Sequence, residues 1–165
     1  MITVNIPEER KAILIGRGGE TKLKLEKRTY TKINVGKEVE IYGDPESELK
    51  VSDIIKAIGR GFSPAKALTL LEGDCVFDVI SLKGTPNTIK RLMSRVIGSG
   101  GKAKKKIEFL THASIEIYGK TISIIGTHRE AENARHAIEM LLSGRTHNFV
   151  WRTMERKLKS SGDFV

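Results

Sequence analysis

Cysteine is nearly absent: Cys75 stands alone, so neither an intramolecular disulfide nor a multi-cysteine zinc site can form. It is expected as a small buried hydrophobe where a strand begins. Long apolar runs are missing too. None approaches the ~20 residues that a membrane span requires, and the N-terminus lacks a charged-then-apolar signal pattern. The sequence therefore reads as a soluble, cytoplasmic protein with no membrane partner. Catalytic constellations are lacking as well. His112, His128, His136 and His147 have no metal-ligand spacing, and there is no H-E-x-x-H, nucleophile elbow or dense carboxylate cluster. Nothing points to an enzyme, a metal or a cofactor. Acid is also in short supply, with 20 Asp and Glu against 29 Lys and Arg, a net charge of +9. Such an excess, gathered in a few segments, is the electrostatic footprint of a polyanion partner.

What is present is a stretch that occurs twice. Ile15-Gly16-Arg17-Gly18-Gly19 is followed by Lys22, Lys24, Glu26, Thr29 and Ile33; Ile97-Gly98-Ser99-Gly100-Gly101 is followed by Lys104, Lys106, Glu108, Thr111 and Ile115. The offset is 82 residues throughout, without a gap. Residue types this different do not coincide at that density by chance, so one ancestral unit is present in two copies. The expected domains are 1–73, with a linking helix, and 74–165, with a C-terminal helix. Units this small are marginal alone, and the copies are expected to pack on each other.

Each copy carries the same order of elements. Ile2, Val4 and Ile6 alternate with polar residues as in a half-buried strand, and a helix is expected from Pro7 to Ile15. After the glycines come a helix over Glu20–Arg28, strands at Thr31–Val35 and Glu38–Tyr42, and a helix from Pro45 to about Ile58. Leu25 and its counterpart Ile107 should face the core. Ser63-Pro64 starts a short helix to Leu71. The second copy repeats this with a strand at Val76–Leu82, helices over Pro86–Ile97 and on to Leu110, strands at Ala113–Tyr118 and Thr121–Ile125, and a helix capped by Thr127. A further helix, Thr146–Lys159, carries Phe149, Trp151, Met154 and Leu158, too many apolar residues for a solvated tail, so part of it should pack on the body. A frayed polar tail is expected from Ser160.

The repeated loop carries the chemistry. Without Cβ atoms at Gly16, Gly18, Gly19, Gly98, Gly100 and Gly101, the backbone can approach a sugar-phosphate chain, and the amides that open the next helix point at phosphates. Arg17, Lys22 and Lys24 add charge in the first copy, and Lys102, Lys104, Lys105 and Lys106 in the second. From Lys90 to Lys106 there are seven basic residues and no acidic one, so the second copy should dominate polyanion binding. Glycines that merely turn the chain, with lysines as a solvated face, are the bland alternative; two copies in identical context argue for nucleic acid. Gly98 to Ala103 fits the loose dinucleotide pattern G-x-G-x-x-A but follows a basic helix where an apolar strand is required. A Walker A loop would need Gly at Val96 and Ser or Thr at Ala103.

An apolar residue, G-x-x-G and a basic amphipathic segment resemble the core of the KH (K-homology) domain, whose loop clamps single-stranded nucleic acid by its backbone. The resemblance implies an α+β protein of two tandem type I KH domains, β-α-α-β-β-α each, packed together, with an extra C-terminal helix. It also implies base recognition in an apolar groove, for which Ile33, Val35, Ile115 and Ile117 are candidates, some of which must face the core. At finer grain, Gly61-Phe62-Ser63-Pro64, the loop Gly98-Ser99-Gly100-Gly101-Lys102 with Ile107-Glu108, and Gly144-Arg145-Thr146-His147 with Trp151-Arg152 are similar to the two-KH small-subunit ribosome-assembly proteins of the partner-of-Nob family. The retained first glycine loop suggests an archaeal member. That family implies non-catalytic binding of the 3′ region of small-subunit ribosomal RNA, near a partner endonuclease. The implied RNA-contacting set is Gly16, Arg17, Gly18, Gly19, Lys22, Gly98, Ser99, Gly100, Gly101, Lys102, Lys105, Lys106, Ile115 and Arg152. Two departures from the broad KH pattern stand out: Lys22 and Lys104 replace a usual Ile, and Tyr30 and His112 a usual Gly. A general single-strand binder and a protein-interaction scaffold remain the alternatives.

Overall fold

The computed structural model describes residues 1–162, and the chain divides into two compact units, Met1–Phe77 and the part from Asp78 onward. The first contains β1 (Ile2–Val4), α1 (Glu8–Ile15), α2 (Glu20–Thr29), β2 (Lys32–Val35), β3 (Val39–Tyr42), α3 (Pro45–Gly59) and the short α4 (Pro64–Leu68). After β4 (Cys75–Ser81) come α5 (Pro86–Ile97), α6 (Lys102–Thr111), β5 (Ser114–Tyr118), β6 (Thr121–Thr127), α7 (His128–Leu142) and α8 (His147–Ser161). The two sheets have the same order, β1-β3-β2 and β4-β6-β5. In the first, Ile41 of the central strand lies opposite both Ile2 and Ile33; in the second, Ile115 faces Ile124, antiparallel in each case. The expected α+β order, β-α-α-β-β-α, is found twice.

Helix starts follow from capping chemistry. Side chains of Asp44, Ser63, Thr85, Thr127 and Thr146 each accept from the amide three residues on, and Pro45, Pro64 and Pro86 follow three of them with φ already set for a helix. Such a cap contributes about 1 kcal/mol. Thr127 goes further, since Glu130 reaches back to its amide and completes a capping box. The far ends of α3 and α7 are also alike. Gly61 and Gly144 take φ of 105° and 96°, and the next residues close the helix through Phe62 N–H to Ala57 O and Arg145 N–H to Met140 O, both 3.1 Å.

In each unit the helices cover one face of the sheet: α3 packs on β1 and β3, with α1 against α2 and α3, and α7 packs on β6, with α5 and α6 beside it. Leu25 and Ile107 occupy matched core positions, as expected, and burying each contributes about 1.5–3 kcal/mol. Cys75 does begin a strand, but it is half-buried rather than buried. The C-terminal helix α8 lies on α6 and α7 through Val150, Met154 and Leu158. Phe149 does not join them; it is 44% exposed, with the Arg145 guanidinium 4.9 Å from its ring centre. The tail expected from Ser160 is instead helical through Ser161 and closes on Gly162; residues 163–165 lie outside the described residues. Among the described residues, no helix is long and apolar enough to cross a membrane.

Candidate nucleic-acid interface

The two glycine loops have the same backbone. Gly16, Gly18 and Gly19 have φ of 76°, 60° and 80°, and Gly98, Gly100 and Gly101 have 74°, 60° and 78°. All six lie where a side chain is strained, yet they are glycine for two different reasons. A Cβ at Gly98 would stand 2.6 Å from the Ala103 Cβ, and one at Gly16 would press into Thr21, so these two are required by packing within the protein. A Cβ at Gly18, Gly19, Gly100 or Gly101 would meet nothing within 4 Å. These four face outward, so their bareness serves something that arrives from outside.

What they expose is a helix start without a cap. The five capped helices described above have a side-chain acceptor at the N-terminus; α2 and α6, which begin on Gly19 and Gly101, have none. The first amides turn back into the loop, Glu20 N–H to Arg17 O and Lys102 N–H to Ser99 O, so an external anion meets bare glycine backbone and the positive end of the helix dipole. Charge around this point differs between copies. In the second, Lys102 is the first residue of α6, and Lys105 and Lys106 follow three and four residues on, which places all three on one side of the helix. Lys102 and Lys105 are exposed, whereas Lys106 lies 3.7 Å from Glu155. Ser99 is exposed at the tip of the second loop, as is Arg17 in the first.

Lys22 has a different setting from the one its sequence position suggested. Its ammonium is 3.2 Å from Glu26, whose carboxylate accepts the Ile33 amide on the outer edge of β2 at 2.8 Å. The second copy repeats the device, with Lys104 3.4 Å from Glu108 and Glu108 accepting the Ile115 amide at 3.0 Å. The repeated lysine that replaces an apolar residue thus neutralises a glutamate that holds the strand edge to the helix. In the first unit this leaves an open groove of about 570 Å³ lined by Lys22, Lys32, Ile33, Asn34 and Tyr42. The Tyr42 hydroxyl donates to Glu40 at 2.9 Å, and that bond raises the phenol above its ordinary pKa.

Ile115 requires correction as an RNA-contacting residue. It is 1% exposed because it points into the sheet-helix core, as does Ile33, while Val35 and Ile117 are half-buried. Arg152 is exposed on α8, on the side turned away from Val150, Met154 and Leu158.

Arg95, counted in the basic run, is a structural clamp. Its guanidinium donates to the carbonyls of Leu141, at 2.9 Å, and Arg145, beyond the end of α7, while its own carbonyl accepts from His147 at 2.9 Å. Arg10 does the same in the first unit, donating to Ile58 O at 2.7 Å and Phe62 O at 2.8 Å. The acceptors correspond across the repeat, but the arginines do not: Arg95 stands three residues beyond Arg10's equivalent, Leu92. One helical turn separates the two positions on the same side, so a long guanidinium reaches the same carbonyls from either. An alignment of the copies by identity has no signal for this pair.

Two antiparallel sheets of this order, each with an uncapped helix behind a bare glycine loop, define a tandem type I KH protein, the class that clamps single-stranded nucleic acid. The comparisons agree and narrow it. Residues 1–57 match the KH domain family, and residues 75–159 match the family of the second KH domain of Pno1, a eukaryotic type KH-domain (KH-domain type I). The chain is 39% identical over 164 residues to the KH domain-containing protein MJ0443 of Methanocaldococcus jannaschii, covering 93% of this chain and 72% of that one. The RNA-binding protein pno1 of Ixodes scapularis is 29% identical over 127 residues, 73% of this chain and 53% of the relative, so the chain spans about half of that protein. A chain in the crystal structure of the a/eIF2alpha–aDim2p–rRNA complex from Pyrococcus horikoshii OT3 superposes with a TM-score of 0.88 at 39% identity, covering 96% of this chain and 94% of that one. The chain belongs to the Pno1/Dim2 family of KH-domain proteins, on its archaeal side.

Proposed function

We propose that this protein holds the 3′ region of small-subunit ribosomal RNA as a single strand during ribosome assembly in the cytoplasm, close to where an endonuclease of the same pathway acts. The observation that carries the reading is the second loop: two outward glycines with no side chain to shield them, an uncapped helix directly behind, and three lysines on one side of that helix. Phosphate meets the bare backbone and the positive end of the helix dipole first and ammonium groups second. The rRNA complex of the structural neighbour supports the choice of polyanion. The first loop has the same backbone but less free charge, since Glu20 and Leu23 stand in α2 where α6 has Lys102 and Lys105. It is read as the weaker contact.

Fluorescence anisotropy with a labelled oligonucleotide of the small-subunit 3′ sequence, repeated across salt concentrations, tests this. For a single strand the logarithmic salt slope is about −0.7 per phosphate neutralised, so Lys102→Ala with Lys105→Ala should make it shallower by about 1.4. Salt-independent binding, or none, would leave the scaffold reading. Equal affinity for a scrambled oligonucleotide would reduce the protein to a general single-strand binder.

A second expected result concerns α8. Arg152 and Arg156 face solvent on the side opposite its buried residues, so changing both to Ala should barely move the melting temperature. If RNA crosses this side of α8, the same change makes the salt slope shallower by about 0.7 to 1.4, one to two phosphate contacts. An unchanged slope removes Arg152 from the contact set.

A further inference from the structure

Trp151 is the only tryptophan in the chain, and it stays half-buried while its α8 neighbours Val150 and Met154 are fully buried. Its indole faces a recess of about 470 Å³ shared with the second glycine loop. Gly98 and Ser99 form one wall, Lys102 and Lys106 of α6 a second, and His147 with Trp151 the third. The volume lies within the range of about 300–1,000 Å³ usual for ligand pockets.

This recess is distinct from the groove beside the sheet. In the first unit that groove is lined by Lys22, whose counterpart Lys104 stands two residues from Lys102, about 200° round the helix. The recess is thus on the other flank of the loop. The first unit has no equivalent ring pair. Across α4 and α8 the repeat offset is 83, so that the caps Ser63 and Thr146 correspond, and Pro64 and Leu68 stand where the second unit has His147 and Trp151.

The ring pair is held before any ligand arrives. The His147 Nε2 faces the Arg95 carbonyl at 2.9 Å and, because a carbonyl only accepts, must be the donor; the Trp151 ring centre lies 6.0 Å from the imidazole, tilted by 49°. A flat aromatic face beside two ammonium groups and a bare glycine loop matches the chemistry of one nucleotide: ring for base, cations and the helix N-terminus for phosphate. Stacking accepts any base, so no sequence preference is required.

We propose that this recess is a nucleobase subsite, in which a base next to the phosphate held at Gly98–Gly101 stacks on the indole of Trp151 while Lys102 and Lys106 flank its backbone. The assignment rests on the reading that the second loop takes RNA phosphate. Because Trp151 is the sole tryptophan, fluorescence excited at the red edge, where the three tyrosines do not absorb, reports on this recess alone, and anisotropy of a labelled 3′ small-subunit oligonucleotide reports on binding anywhere. The expected result is a saturable quenching that tracks the anisotropy, a loss of affinity of about 5- to 100-fold in Trp151→Leu, and near wild-type affinity in Trp151→Phe. Melting curves of both variants confirm that they are folded, and the phenylalanine variant keeps the comparison valid if the leucine one is not. Bound RNA with unchanged fluorescence, or a folded Trp151→Leu that binds as wild type, overturns the subsite and leaves the loop reading intact. No anisotropy change at any protein concentration overturns both.

Discussion

Replacing Gly100 and Gly101 together by Asp should abolish detectable RNA binding while the protein stays folded. Both glycines have positive φ, 60° and 78°, and a Cβ at either meets nothing within 4 Å, so the only structural penalty is backbone strain. That strain is about 1–2 kcal/mol per ordinary residue, and Asp is among the side chains that tolerate the left-handed region best. The functional penalty is of another order. Two carboxylates would stand where phosphate approaches, in front of the positive end of the α6 dipole, reversing the sign of the field that attracts the strand. A loss of 100-fold or more, on the order of 3 kcal/mol, is expected from anisotropy titrations at fixed salt, against only a modest fall in melting temperature. The matched pair Gly18→Asp and Gly19→Asp should cost less, because Glu20 and Leu23 stand in α2 where α6 has Lys102 and Lys105. Gly98→Ala is the internal control, since its Cβ would collide with Ala103 and loosen the α5–α6 junction itself. Wild-type affinity in a stable Gly100/Gly101 double variant would exclude the loop from the RNA path, and a larger loss from the first loop would reverse the ranking of the two copies.

The fold was legible because its punctuation is local. Asp44-Pro45, Ser63-Pro64, Thr85-Pro86, Thr127 and Thr146 each announce a helix within a few residues, and the structure shows each of these side chains accepting the expected amide. Loop glycines were equally legible in position, though not in purpose. Only coordinates divide Gly16 and Gly98, which pack, from the four that face outward. Partner assignments were the illegible part, because a charged side chain in sequence carries no record of what it reaches. Glu26 and Glu108 read as matched positions of the repeat, whereas they accept the amides of Ile33 and Ile115. Tyr30 is 90% exposed and Phe109 73%, although pattern alone would send such residues inward. Tyr30 and His112 end α2 and α6 in the left-handed conformation, at φ of 54° and 64°, a position usually filled by Gly, and the two copies agree on it.

Arg95→Ala should separate stability from binding more sharply than any other substitution in the basic run. By composition Arg95 belongs with Lys90, Arg91 and Lys102, and a charge-based reading gives it a phosphate. Its guanidinium is instead committed to the carbonyl of Leu141 in the last turn of α7, which also accepts the Gly144 amide, and to that of Arg145 just beyond the helix. Hydrogen bonds from a charged donor contribute about 1.5–3 kcal/mol each, and partial exposure places this pair near the lower end, so a loss of about 2–4 kcal/mol is expected. At about 4–8 °C per kcal/mol for a unit of this size, the melting temperature should fall by roughly 8 °C or more. Lysine should not rescue it, because a single ammonium lacks the fork that spans two carbonyls. Arg10→Ala should produce the same fall in the first unit, where the acceptors are Ile58 and Phe62. Measured well below its melting temperature, the Arg95 variant should bind RNA with an unaltered salt slope, since no phosphate contact has been removed, whereas Lys102→Ala with Lys105→Ala does the converse. An unchanged melting temperature with a slope shallower by about 0.7 would return Arg95 to the RNA-binding surface and dissolve the parallel with Arg10.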